Sequence, residues 1–216
     1  MKHKAVLFDL DGTLLNTLDD LADAMNATLA ELGFAGHPLD ACRYLIGDGV
    51  ENFAIRALPA DHRDAPTVGQ VLAGFRKRYA QRWADKTHLY DGIAELLDGL
   101  TDAGAAMAVL SNKPHEFTGV IVAKFLARWR FERVVGARDG VPIKPDPAAA
   151  IQIAEQLNIA PDEFLYLGDT NTDMQTARAA GMYPVGALWG FRTAEELQAS
   201  GAKALAKKPI DVLKLL

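Results

Sequence analysis

After Tyr90-Asp91-Gly92 the chain alternates short apolar runs with amphipathic stretches, and this alternation limits the possible folds more than any other feature. Helical spacing predicts a helix over 93–103, followed by a strand over 105–110 that runs into Ser111-Asn112-Lys113-Pro114. A helix over 117–126 and a strand over 131–135 come next. The loop Val141-Pro142-Ile143-Lys144-Pro145-Asp146-Pro147 leads into a helix over 148–157. A strand over 164–167 stops at Gly168-Asp169, a helix around 174–180 ends at Gly181, and 184–188 reads as the last strand. One earlier apolar run, Lys4 to Phe8, ends at Asp9. Strands that alternate with helices need crossover connections, so the strands should lie parallel in a sheet covered on both faces.

Between the first strand and this alternating region the pattern is helical throughout. Leu18, Leu21, Ala22, Met25, Leu29 and Leu32 recur at helical spacing, with Thr17 and Asp20 as a capping pair and Gly33 at the helix end. Two shorter helices, 39–46 and 50–58, are hinged at Gly47-Asp48-Gly49. Pro66 opens another, with Val68, Val71, Leu72, Phe75 and Tyr79 on one face. That block is too long for a loop. The predicted fold is α/β: a parallel-sheet Rossmann-like core with helices on both faces, formed by 1–15 and 87–216, and an inserted α-helical cap domain over 16–86. A chain of 216 residues with 50% hydrophobic content can bury one core and a smaller satellite.

Composition excludes several functions. The longest apolar runs, such as Ala103 to Leu110, fall short of a membrane span. Met1-Lys2-His3-Lys4 leads too quickly into an acid-terminated strand to be a signal peptide. The net charge of −5 argues against a nucleic-acid partner, and Arg76-Lys77-Arg78 with Arg82 reads as a solvated helix face. The one cysteine, Cys42, cannot form an internal disulfide, which suits a reducing cytoplasm. The five histidines show no ligand spacing, although His115 follows Ser111-Asn112-Lys113 closely.

Three predicted strands end in polar residues: Asp9, Ser111 and Asp169. In an open α/β sheet the carboxyl ends of the strands line the ligand crevice, so these residues should share one site. Asp9 and Asp11 stand two apart with Gly12 turning the chain, and Asp169 and Asp173 stand four apart where a strand meets a helix. Two like charges about 4 Å apart repel by roughly 4 kcal/mol at an effective dielectric near 20. A cluster of such acids needs a cation, and an all-oxygen set with few protein ligands suits Mg²⁺. Taken singly, each residue has a plainer reading. Asp11-Gly12 is a turn signal, Asp169 and Asp173 a helix cap, and Lys144 an exposed loop lysine. Their joint placement at strand ends is what the plainer readings leave unexplained.

Four separated motifs resemble the haloacid dehalogenase superfamily, and within it phosphatases of the phosphoglycolate phosphatase type. They are Asp9-Leu10-Asp11-Gly12-Thr13, Ser111-Asn112-Lys113, Lys144-Pro145-Asp146-Pro147 and Gly168-Asp169-Thr170-Asn171-Thr172-Asp173. Leu45-Ile46-Gly47-Asp48-Gly49 and Trp189-Gly190-Phe191-Arg192 are similar to that subgroup as well. The resemblance implies that Asp9 is a nucleophile forming an aspartyl-phosphate, and that Asp11 is the acid and then the base. It implies that Thr13, Ser111, Asn112 and Lys144 bind phosphate, with Thr13 placing either Asp11 or the phosphoryl group. Mg²⁺ would be held by Asp9, the main-chain carbonyl of Asp11, and Asp169, with Asp173 either ligating or orienting Lys144 and a metal water. Dehalogenating members lack an acid at the position of Asp11, so its presence points to a phosphate ester.

Substrate choice is assigned to the cap. There Gly47, Asp48 and Gly49 resemble a specificity loop, and Arg43 either meets a substrate carboxylate or is a solvated surface residue. The leading expectation is a small phosphorylated metabolite, 2-phosphoglycolate first, acted on by a monomer or homodimer. Pyrophosphate, a sugar phosphate or a phosphomutase reaction are the alternatives within the superfamily. A phosphoacceptor or binding module without turnover is the alternative of a different class; it conflicts with an acceptor on the first strand and an insert behind it. A purely structural protein leaves the acidic cluster unexplained.

Overall fold

The structure is a computed structural model that describes residues 2–216. The chain divides into two compact units, one comprising residues up to Leu15 and Leu89–Leu216, the other Asn16–His88.

The first unit is built on six parallel strands: β1 Ala5–Phe8, β4 Ala106–Pro114, β5 Arg133–Ala137, β6 Phe164–Gly168, β7 Tyr183–Ala187 and β8 Ala204–Ala206. Two short strands, β2 Leu15–Asn16 and β3 His88–Leu89, pair separately. The order across the large sheet is β5-β4-β1-β6-β7-β8. Every residue of β1 is buried, as a central strand covered on both faces requires. From β1 the chain builds outward through β4 and β5, then crosses back to β6 on the other side. The sheet therefore reverses its strand order between β1 and β6, the place where ligands bind in such folds. Phe8 registers against Leu167, so Asp9 and Asp169 emerge side by side at that reversal.

Helices α5 Ile93–Asp102, α6 His115–Phe125, α7 Ala148–Leu157, α8 Asn171–Ala179 and α9 Ala194–Ala199 complete this unit. On one side Leu7, Leu110, Phe164 and Tyr166 pack with Ala150, Ile153 and Ala154 of α7 and Ala177 of α8. Each large side chain removed from water there contributes about 1.5–3 kcal/mol.

Several elements differ from the sequence reading, and three of the differences bear on the sheet and the site. β4 runs through Pro114, with its register to β5 broken between Leu110 and Pro114, so Ser111 and Lys113 stand on the strand. α8 begins at Asn171 rather than near Met174, because Thr170 and Asp173 form a reciprocal capping box ahead of the first apolar residue. The strand at 183–187 is not the last; Ala204–Ala206 adds β8, too short and alanine-rich to signal itself.

The second unit holds α1 Leu18–Glu31, α2 Leu39–Leu45, α3 Val50–Ala57 and α4 Ala65–Arg82. α1 and α4 approach closely: a Cβ on Gly74 would stand 2.6 Å from Thr28 Cγ2. Phe53 meets Phe75 edge-on, and Phe75 stacks on Tyr79. Asp64 caps α4 by accepting from Thr67 N at 3.0 Å. The predicted Thr17–Asp20 cap does not form. Thr17 makes no side-chain cap bond, and Asp20 accepts instead from Lys86 N, Thr87 N and Thr87 Oγ1, tying the end of the unit to its first helix. Among the described residues no helix is long and apolar enough to cross a membrane.

Candidate active site

Five segments of the first unit converge where β1 and β6 end. Asp9, Asp169 and Asp173 are buried, with one carboxylate oxygen from each lying within 4.8 Å of the others. Lys144 stands among them, its Nζ 2.8 Å from Asp9 Oδ1 and 2.7 Å from Asp173 Oδ1. The lysine reaches this position because Asn112 clamps its backbone. Lys144 N donates to Asn112 Oδ1 at 2.9 Å, and Asn112 Nδ2 donates to Lys144 O at 3.0 Å. Asn112, expected to touch phosphate, thus spends its amide on the loop that delivers the ammonium group.

Asp173 is fixed by its own helix start, accepting from Thr170 Oγ1 at 2.6 Å and Thr170 N at 3.0 Å. Of its two expected roles, the orientation of Lys144 is the one visible in these contacts. Asp169 accepts from Thr13 Oγ1 and from Phe191 N, each at 2.8 Å. The buried hydroxyl of Thr13 thus donates to Asp169, alongside the Phe191 amide. Glycines let the backbone close in. A Cβ on Gly12 would lie 2.2 Å from Asp169 Oδ2, and one on Gly190 would lie 2.2 Å from Asp169 Cβ and 2.5 Å from Gly12 O. Trp189 Nε1 donates to Thr13 O at 2.9 Å, so the segment 189–191 is a working wall of the site.

Asp11 lies apart from the three buried acids. Its Oδ1 stands 3.1 Å from Lys113 Nζ, and that oxygen accepts no hydrogen bond, so the contact is Coulombic and off the hydrogen-bond axis. Lys113 N in turn donates to Ser111 Oγ at 3.2 Å. Lys113 is the residue that sequence reasoning passed over. The signal was present: once β4 extends past Leu110, Ser111 and Lys113 fall two apart on one strand and share a face. The buried hydroxyl of Tyr166, without a hydrogen-bond partner, was missed too. His115 accepts from Gly136 N at 3.1 Å. The remaining predicted residues belong to the second unit. Arg43, on α2, pairs with Asp40 at 3.5 Å; Asp48 pairs with Arg56; Gly47 and Gly49 both take positive φ.

Charge explains what this arrangement wants. Three buried carboxylates gather around a single ammonium group, which pairs with two of them, Asp9 and Asp173. Like charges at such separations repel by about 3–4 kcal/mol per pair at an effective dielectric near 20. Burial lifts the Asp9 carboxyl well above its usual range; Asp173 and Asp169 add to this, and Lys144 opposes it. Asp169 is pushed up to about 7, by burial first and by Asp173 next, against the hydrogen bonds from Phe191 and Thr13. Burial alone would depress Lys144, but Asp173 and Asp9 hold it well above its ordinary value, so it stays charged. An all-oxygen set with excess negative charge, and with protons held where water would normally ionise them, fits a hard divalent cation.

A reversed parallel sheet with paired acids, a lysine and a hydroxyl at its carboxyl edge is an arrangement suited to phosphoryl transfer. The family model for haloacid dehalogenase-like hydrolases matches residues 6–187, and the chain belongs to that family. It is 34% identical over 200 residues to the phosphoglycolate phosphatase of Pseudomonas putida KT2440, across 91% of this chain and 73% of that one. It is 32% identical to the phosphoglycolate phosphatase of Nitrosospira multiformis, across 99% of this chain and 95% of that one. A solved structure from Lactobacillus delbrueckii subsp. bulgaricus superimposes with a TM-score of 0.94 at 29% identity, covering 100% of this chain and 98% of the other. The chain is a phosphatase of this family, resembling the phosphoglycolate phosphatases.

Proposed function

We propose that the protein hydrolyses a small phosphate monoester, 2-phosphoglycolate foremost, with Mg²⁺ and through an aspartyl-phosphate on Asp9. The observation that carries this reading is the contact of Asp9 with Lys144 beside Asp169 and Asp173: a nucleophilic carboxylate already next to the charge a phosphoryl group would need. Asp9, the main-chain carbonyl of Asp11, and Asp169 would hold the metal, with Asp173 behind Lys144. When bound, the cation supplies neutralisation of the phosphoryl oxygens and of the carboxylates around them.

An Asp9 oxygen attacks phosphorus as the bond from phosphorus to the ester oxygen breaks, and the Asp11 carboxyl gives its proton to the departing oxygen. Lys144 and Ser111 hold the transferring oxygens. Asp11, now a carboxylate, takes a proton from water as that oxygen bonds to phosphorus and the bond to Asp9 breaks. Phosphate leaves, and Asp11 carries a proton again. Asn112 and Thr13 act by placing Lys144 and Asp169. We assign substrate selection to the second unit as a cap, with Arg43 and the Gly47-Asp48-Gly49 turn as its reading elements. A cytoplasmic monomer or homodimer without a nucleic-acid partner suits the buried free Cys42 and the net charge of −5.

The test is an acid quench during turnover of 2-phosphoglycolate with Mg²⁺, with mass spectrometry of the Asp9 peptide. A phosphoryl adduct on Asp9 and its loss in Asp9→Asn are expected. Phosphate released from no ester of a broad panel would overturn the reading, and isomerisation of a sugar phosphate without phosphate release would move it to a mutase.

A further inference from the structure

We propose that Tyr166 is a positioning residue for Lys144, its buried hydroxyl accepting an ammonium hydrogen when Asp9 gives up its charge to the phosphoryl group. The inference rests on the phosphatase reading above and adds the residue that keeps the lysine aimed during the reaction.

Tyr166 stands in the middle of β6, in register with Leu7 on one side and Pro184 on the other. It is fully buried, and it belongs to the apolar cluster that holds Leu110, Ala150 and Ile153. Phenylalanine would fill that volume without taking an oxygen out of water. A buried phenol ordinarily finds a hydrogen-bond partner, and one left without it costs stability. The Tyr166 hydroxyl makes no hydrogen bond. Its surroundings are those of the site. Gly168, two residues on, shares a face of β6 with Tyr166, and a Cβ there would stand 2.3 Å from Asp173 Cβ. Asp173 in turn holds Lys144 Nζ at 2.7 Å. Burial raises the phenol well above its ordinary range; Lys144 opposes this, while Asp173 and Asp9 add to it. The hydroxyl is therefore neutral and lies within the field of the ammonium group.

An ammonium group has three hydrogens to donate. Before reaction Lys144 is held by two carboxylates, Asp9 and Asp173. Once Asp9 bonds to phosphorus it becomes an aspartyl-phosphate, and its carboxyl no longer carries the charge that paired with the lysine. Lys144 is then left with Asp173 and a phosphoryl oxygen, and a further acceptor decides whether it keeps its direction. The Tyr166 hydroxyl supplies that acceptor from a rigid ring on a central strand, with no long side chain to immobilise. An acceptor that engages only as Asp9 is consumed stabilises the transition state more than the free enzyme. That return offsets the cost of burying the oxygen.

The experiment compares wild type with Tyr166→Phe, which removes the oxygen and keeps the ring, for hydrolysis of 2-phosphoglycolate and of p-nitrophenyl phosphate with Mg²⁺. On both esters kcat should fall by roughly tenfold, as for one hydrogen bond to a charged group, while KM stays within about twofold. Both esters should respond alike, because Lys144 acts on the phosphoryl group they share. The melting temperature of Tyr166→Phe should equal or exceed that of wild type, since the oxygen removed has no partner in the fold. A purely structural hydroxyl would not lower kcat while leaving stability intact. A kcat within about threefold of wild type, a loss carried by KM, or a melting temperature that falls together with kcat would each overturn the inference and leave the phosphatase reading in place. Absence of turnover on every ester in wild type overturns both.

Discussion

Adding Mg²⁺ to metal-free protein should raise its melting temperature by an increment that grows with pH between about 4 and 7. Asp169 has an ordinary carboxyl value of 3.8 and is held at about 7 in the fold. Between these values the metal-free native state keeps a proton that the unfolded chain releases. Native protein binds more protons, so stability falls as pH rises through this window. About three pH units at about 1.4 kcal/mol per unit give roughly 4 kcal/mol, or on the order of 10 °C in Tm for a chain of this size. Asp9 is lifted for the same reason and steepens the slope. A divalent cation among the carboxylates favours their ionised forms and cancels the penalty, so the gap between metal-loaded and metal-free curves widens as the protons leave. Differential scanning fluorimetry from pH 4.5 to 8.5, with chelator or with Mg²⁺, measures both curves. In Asp169→Asn the metal-free slope should become shallower by about one proton. A Mg²⁺ increment that is the same at pH 5 and pH 7.5, or a slope unchanged in Asp169→Asn, would refute the assignment of these acids to a cation site.

Lys144→Met strands Asp9 and Asp173 without their shared counter-ion and should cost about 3–5 kcal/mol at pH 7.5, read as a lower urea midpoint, with the loss shrinking as pH falls, because burial lifts the Asp9 carboxyl and favours its neutral form. Gly190→Ala drives a methyl group into Asp169 and the Gly12 carbonyl; kcat/KM should fall by roughly tenfold or more while the far-ultraviolet circular dichroism is unchanged. Asp20→Ala leaves the Lys86 and Thr87 amides without their carboxylate and should destabilise the second unit by about 1–3 kcal/mol, seen as faster hydrogen exchange at those two amides.

Local chemistry determined much of this protein in advance. Apolar runs ending at Asp9 and at Gly168-Asp169 had to be buried parallel strands, because the helical stretches between them require crossovers and cover both faces. Two strands whose carboxyl ends are acidic, placed side by side in a sheet, bring Asp9 and Asp169 together whatever fills the intervening residues. That buried acids at such separations need a positive partner followed from charge; that Lys144 is one was implied only by the resemblance. Tertiary structure decided the assignments that depend on direction rather than on residue type. Whether Thr13 turns to Asp11 or to Asp169, and whether Asn112 faces a phosphoryl group or the Lys144 backbone, depends on which acceptor lies within about 3 Å, and sequence spacing does not encode that. The extension of β4 past Leu110 is a matter of sheet pairing, and it alone puts Lys113 beside Asp11. Asp20 shows the same limit in the second unit: a capping residue by sequence, it is claimed by the amides of residues 86 and 87, which only the folded chain brings within reach.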